Sequence, residues 1–60
     1  MKRYYINDTV EFRVGEKHMY GVIVKEYVGE DEKTFDILAA ELLYRGISEA
    51  DILKDFGSEE

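Results

Sequence analysis

The side chains that could act as acids, bases, nucleophiles or metal ligands are few and widely spaced. His18 is the single imidazole and there is no cysteine, so a Cys/His zinc site cannot be assembled. His18 reads as an exposed residue at a strand end. Nothing near Ser48 in the sequence would activate a nucleophile there, and it reads as a cap or turn residue. The run Glu30-Asp31-Glu32 lacks the spaced carboxylates, central glycine and terminal glutamate of a calcium loop. Glu49 and Asp51 bring two carboxylates close together, but a chain this short seldom encloses a cleft around such a pair. The five glycines are isolated, so no glycine-rich loop can cradle phosphate. These patterns point away from an enzyme and assign no catalytic, cofactor-binding or metal-ligating residue.

The elements that would carry these residues follow from hydrophobic periodicity. Thr9-Val10-Glu11-Phe12-Arg13-Val14 alternates polar and apolar without a break, the period of a half-buried strand. Gly15-Glu16-Lys17 supplies a turn, and residues 18–28 form a long second strand rich in β-branched and aromatic types. A three- or five-residue connection would set Val10 and Phe12 beside Tyr20, Val22 and Val24 on the core face. Met19, Ile23 and Tyr27 would then face outward. Gly21 inside the strand predicts a bulge or sharp bend.

Residues 29–33 form a second, polar turn, and beyond it two readings compete. Residues 34–39 and 42–47 can be strands, followed by a single helical turn at 48–52 and a last strand near 53–56. Alternatively, Phe35, Leu38, Ala39, Leu42 and Gly46 share a helical face, and Ala39-Ala40-Glu41-Leu42-Leu43 are good helix formers. The second reading is an α+β fold, a β-hairpin followed by a helical hairpin with Gly46 past the first helix and Ser48 capping the next.

Sixty residues make one domain, spanning 1–60, whose folding buries only about 60% of the surface an unfolded chain of this size exposes. With no disulfide and no structural metal, its stability must come from packing. No apolar run approaches the ~20 residues of a membrane span. The first residues, Met1 to Asp8, have a basic pair but no apolar region after it, so no signal peptide is read there. Together with the lack of cysteine, this suggests a cytoplasmic protein. The net charge of −6 arises in the second half. Residues 1–30 balance acids against bases, whereas residues 31–60 are rich in acid. That balance disfavours nonspecific nucleic-acid binding, which needs clustered lysine and arginine.

Taken in order, several segments resemble a small SH3-like barrel of the Tudor/KOW type. They are Asp8-Thr9-Val10-Glu11-Phe12, Tyr20-Gly21-Val22-Ile23-Val24, Phe35-Asp36-Ile37, and Leu43 through Ile52. The resemblance covers residues 8–56 and implies an all-β, five-stranded barrel with one short helical turn near 48–52. It departs from the pattern at Ala39-Ala40-Glu41, where a turn usually carries glycine, asparagine or aspartate. The compact acidic character also resembles small proteins of phages and mobile elements.

The expected function is a non-catalytic, acidic protein-interaction module, in the manner of a phage inhibitor or regulator docking on a basic surface of a host protein. The candidate contact residues are Met19, Ile23 and Tyr27 on the second strand, the Tyr44-Arg45 pair, and the acids Glu49 and Asp51. Tyrosine and arginine suit interfaces because they combine rigid area with polar tips. A KOW-like nucleic-acid module is the alternative, resting on Lys2, Arg3, Arg13, Lys17 and Lys25. A homo-oligomeric, virion-associated component burying the Met19/Ile23/Tyr27 face is the third reading.

Overall fold

A computed structural model describes residues 4–58. Five antiparallel strands form one sheet: β1 (Thr9–Val14), β2 (Lys17–Val28), β3 (Lys33–Ala39), β4 (Leu42–Ser48) and β5 (Ile52–Gly57). A lone 3₁₀ turn, Glu49–Asp51, joins β4 to β5. The spatial order is β4-β3-β2-β1-β5, which leaves β4 and β5 at the two edges. The fold is therefore all-β, with the strands and the short turn close to their expected positions. This small five-stranded antiparallel sheet is compatible with an SH3-like barrel.

The helical alternative for residues 34–47 is overturned. Phe35, Ile37 and Ala39 are buried at intervals of two, while Leu38 and Leu42, needed for the helical stripe, are exposed. Pairing across β3 and β4 outweighs the weak local preference of Ala39 to Leu43 for helix.

One sheet must supply the whole core, and it does so by curling. Val10, Phe12, Ile23, Phe35, Ile37, Ala39 and Ile52 form the buried cluster, with Tyr4, Met19, Tyr44 and Ile47 packed against it. Phe12 on β1 and Tyr44 on β4 are separated by two intervening strands. Their rings nevertheless meet edge to face with centroids 5.6 Å apart. Only a sheet bent around its own interior brings those strands together.

The register of the first hairpin corrects the sequence reading. The connection is the two-residue Gly15-Glu16, pairing Val14 with Lys17, Phe12 with Met19 and Val10 with Gly21. Gly15 has φ +63° while Glu16 does not enter the positive region, the signature of a type II′ turn whose twist suits a hairpin. Met19, Gly21 and Ile23 consequently share the inner face with Val10 and Phe12, and Tyr20 and Val24 are exposed.

Gly21 explains the error. In a hydrophobicity pattern it is a gap in the core face; in the fold it is the point where β3 closes on β2. A Cβ there would lie 2.6 Å from the Leu38 carbonyl oxygen, 2.7 Å from Ile37 Cγ2 and 2.9 Å from Ala39 Cβ. The bulge expected near this residue falls three positions later, where pairing shifts between Ile23 and Lys25 around Val24.

The β3–β4 turn is unusual in composition. Ala40 (φ +52°) and Glu41 (φ +67°) both adopt left-handed conformations between the paired Ala39 and Leu42. Such a type I′ geometry normally takes Asn-Gly, because a Cβ in the left-handed region costs about 1–2 kcal/mol. Replacing Ala40-Glu41 by Asn-Gly is expected to stabilise the fold by about 1 kcal/mol in urea unfolding. Gly21→Ala is expected to destabilise it by about 1–3 kcal/mol, since rigid backbone and core atoms occupy the space.

Candidate functional site

Strand alternation gives the curled sheet an inner face, which is the core, and an outer face open to solvent. Along the outer face a row of residues stands in direct cross-strand register. Leu43 on β4 pairs with Leu38 on β3, Leu38 with Val22 on β2, Val22 with Thr9 on β1, and Thr9 with Gly57 on β5. Phe56, beside Gly57, meets Tyr20 of β2 with ring centroids 6.0 Å apart. Leu43 and Leu38 are each 45% exposed, Phe56 51% and Tyr20 61%. Apolar side chains thus run across β4, β3 and β2 on the side facing away from the core, and on that side the Tyr20–Phe56 contact links β2 to β5.

Charge is sorted by position. The described lysines and arginines (Arg13, Lys17, Lys25, Lys33, Arg45 and Lys54) all lie in strands. Many acids instead occupy connections: Asp8, Glu16, the Glu30–Glu32 run and Glu41, with Glu49 and Asp51 in the 3₁₀ turn. The surplus negative charge therefore sits largely at the ends of the sheet and the outer face is left richer in bases. The Lys25 ammonium lies 5.3 Å from the Tyr27 ring centroid, and that of Lys54 5.3 Å from the Phe56 ring centroid.

The seven expected contact residues are not brought together. Ile23 is fully buried (0% exposed), so its assignment to an outward face is overturned by the Gly15-Glu16 register. Met19 packs against the core, as does Tyr44 through Phe12. Tyr27 is exposed, and its hydroxyl donates to Asp36 Oδ2 at 3.0 Å. The Gly46 amide donates to Asp36 Oδ1 at 3.2 Å, so this buried carboxyl ties β2 to the bulged middle of β4, beside exposed Arg45. Asp51 pairs with Arg13 at 3.1 Å, and Glu49 lies half-buried in the same turn.

The groups considered for chemistry have structural partners. His18 Nδ1 lies 3.0 Å from Glu11 Oε2 on an exposed stretch of sheet. Ser48 Oγ accepts from the Ala50 amide and donates to Glu32, capping the 3₁₀ turn. Among the described residues, no group of three or more His, Cys, Asp and Glu is placed to hold a metal ion.

A carboxyl pair escaped the sequence reading. Asp8, just before β1, is buried, and Asp55 of β5 lies within hydrogen-bonding reach of its side chain. Burial pushes the Asp8 carboxyl above the usual aspartate range. The hydrogen bond and the negative charge of Asp55 push the same way, against an opposing bond from the Tyr5 amide. Two carboxyls can bond only when they share a proton. Asp8 anchors the start of the sheet: its amide donates to the Tyr5 carbonyl, its carbonyl accepts from Ile23, and the Asn7 amide donates to the Ile23 carbonyl. Burial also raises the Tyr4 hydroxyl, helped by the charges of Glu49 and Asp55. The nearest hollow, about 630 Å³ and lined by Tyr5, Ile6, Asn7, Thr9, Val22 and Ser58 as well as Asp8, is open to solvent. Asp8 and Asp55 come together only through the shifted β1–β5 pairing, which no local spacing reveals.

No family model matches the chain, and neither a curated protein nor a solved structure matches it.

Because the folded chain holds the Asp8 proton more tightly than the unfolded chain, protonation favours the fold. That contribution is full below the unfolded aspartate value and is lost as pH rises through the raised one. Asp8→Asn keeps an acceptor for the Tyr5 amide and offers Asp55 a donor. It is expected to be more stable than the parent at pH 7, with the difference narrowing as the pH is lowered. Urea unfolding across pH reads both; a constant difference would show that Asp8 is not the source.

Proposed function

We propose that this chain is a non-catalytic protein-interaction module of the small SH3-like kind, acting in the cytoplasm. The supporting observation is the apolar row of exposed Leu43 and Leu38 and half-buried Val22, in register across three strands, with exposed Tyr20 and Phe56 in contact on the same side. Exposed apolar side chains gathered into one patch are often functional, and large patches mark contact sites. The element order supports the SH3-like reading: five antiparallel strands, strongly curled, with a single 3₁₀ turn between the fourth and fifth. The lack of cysteine supports the reducing compartment.

A nucleic-acid reading has one specific observation in its favour, the lysines stacked on Tyr27 and Phe56. Against it, Arg13 and Lys33 are paired with Asp51 and Glu26, and Glu11 lies on the same face. The protein reading therefore stands first.

Affinity capture from lysate, with and without nuclease, tests it. A discrete protein recovered equally in both samples, and lost with the Leu38→Asp/Leu43→Asp variant, is the expected outcome. Recovery that depends on nucleic acid would overturn the reading. A folded chain that captures nothing, but doubles in mass with concentration, would instead indicate self-assembly.

A further inference from the structure

The two edges of the sheet differ in how they meet solvent. An edge strand offers unpaired amides and carbonyls to any other strand, and folded proteins blunt it with charges, bulges or short length. The β5 edge is blunted: its middle is Lys54-Asp55, and its pairing with β1 shifts register twice. The start of β4 is not. Leu42-Leu43-Tyr44 carries no charge, and its two leucines are exposed on opposite faces. Leu42, 60% exposed, stands beside Ala39 on the core side, and Leu43, 45% exposed, beside Leu38 on the outer side. Ala39 and Leu42 flank the two-residue turn as its hydrogen-bonded pair. Alternation therefore points the amide and carbonyl of Leu43 away from β3, toward the open edge. This regular stretch is short. Glu41 in the turn bounds it at one end, and beyond Tyr44 the pairing with β3 shifts beside Gly46, at φ +69°.

We propose that β4 is a dimerisation edge: two copies of this chain pair antiparallel through Glu41-Leu42-Leu43-Tyr44-Arg45, about a two-fold axis at Leu43. Charge complementarity selects a second copy as the occupant. The segment has an acid at one end, a base at the other and uncharged side chains between them. Antiparallel pairing about Leu43 sets Glu41 opposite the partner's Arg45 at both ends, and Leu42 opposite the partner's Tyr44. Opposite charges directly across a strand pair are stabilising, and like charges the reverse. The two Leu43 residues then exchange amide-to-carbonyl hydrogen bonds across the axis. An axis at Leu42 leaves Glu41 opposite leucine, one at Tyr44 leaves Arg45 opposite leucine, and one at Arg45 opposes two guanidinium groups. One register therefore satisfies both charges. Among the described residues Glu41 and Arg45 take part in no ion pair within the chain, so pairing across the axis breaks none. The contact is isologous and closed, and it joins the two five-stranded sheets edge to edge. On the outer face the Val22–Leu38–Leu43 row of one copy runs on into that of the other. This dimer goes beyond the interaction reading and holds whether or not another protein docks on that face.

Two charge reversals and their mixture test the register. In sedimentation equilibrium the mass of the whole chain is expected to double as its concentration rises toward about 1 mM, a weak range suited to a single strand pair. Glu41→Arg sets arginine against arginine at both ends, and Arg45→Glu sets glutamate against glutamate. Each variant is expected to stay monomeric at the same concentration while keeping a native amide spectrum, since both positions are exposed. An equimolar mixture of the two variants opposes unlike charges again and is expected to recover the doubled mass. In the parent, the Leu43 amide should exchange with deuterium several-fold more slowly at high concentration than at low. A parent chain that stays monomeric throughout that range would overturn the proposal. So would a dimer indifferent to both reversals, or a mixture that remains monomeric.

Discussion

A single sheet can bury only one of its faces, and with no α-helix among the described residues and no cysteine for a disulfide the covering layer has to be the sheet itself. That constraint requires strong curvature, and curvature requires neighbouring backbones to approach closely where the bend is sharpest. Gly21 is such a point, with β3 so close that no Cβ fits. The bulge at Val24 and the two register shifts between β1 and β5 provide further bending. Contacts such as Phe12 with Tyr44, which join distant strands through the interior, depend on that bend.

Much of this was legible in the residues. The alternation from Thr9 to Val14, the polar second turn and the short 3₁₀ segment after Ser48 stand close to where periodicity and turn chemistry put them. The face assignment of β2 was not legible, because Gly21 carries no hydrophobic signal yet lies at the centre of the buried face. Counting apolar side chains therefore favoured Tyr20, Val22 and Val24. The turn at Ala40-Glu41 was obscured for the opposite reason, since its residues are good helix formers held in a conformation they disfavour. Tertiary pairing decides both cases. The Asp8–Asp55 pair and the apolar band were hidden because each is assembled across strands far apart in sequence.

The same alternation that builds the core also separates the charges. Positions between buried residues on a strand face away from the core, and here they hold the apolar Val22 and Leu38 and the acids Glu11 and Asp36, while the bases of the strands lie farther along them. Acids collect where the chain reverses. A net charge of −6 therefore describes the molecule as a whole and misdescribes the face across which the strands align. Asp36 illustrates the difference between formal and available charge: it is an acid on that side of the sheet, but Tyr27 and the Gly46 amide occupy both its oxygens.

The pairing of β1 with β5 also bears on how the chain reaches its native state. Hairpins β1–β2, β2–β3 and β3–β4 join neighbours in sequence and can form early through short loops. The strand that covers the β1 edge is the fifth of the five in sequence, and Val10 and Phe12 lack their partners Asp55 and Ile52 until it arrives. During synthesis on the ribosome, β1 must wait with an unpaired edge while more than forty residues are added after it. Completion of the sheet is thus a late, non-local event, the kind of closure that slows folding and extends the interval in which a nascent chain can mispair.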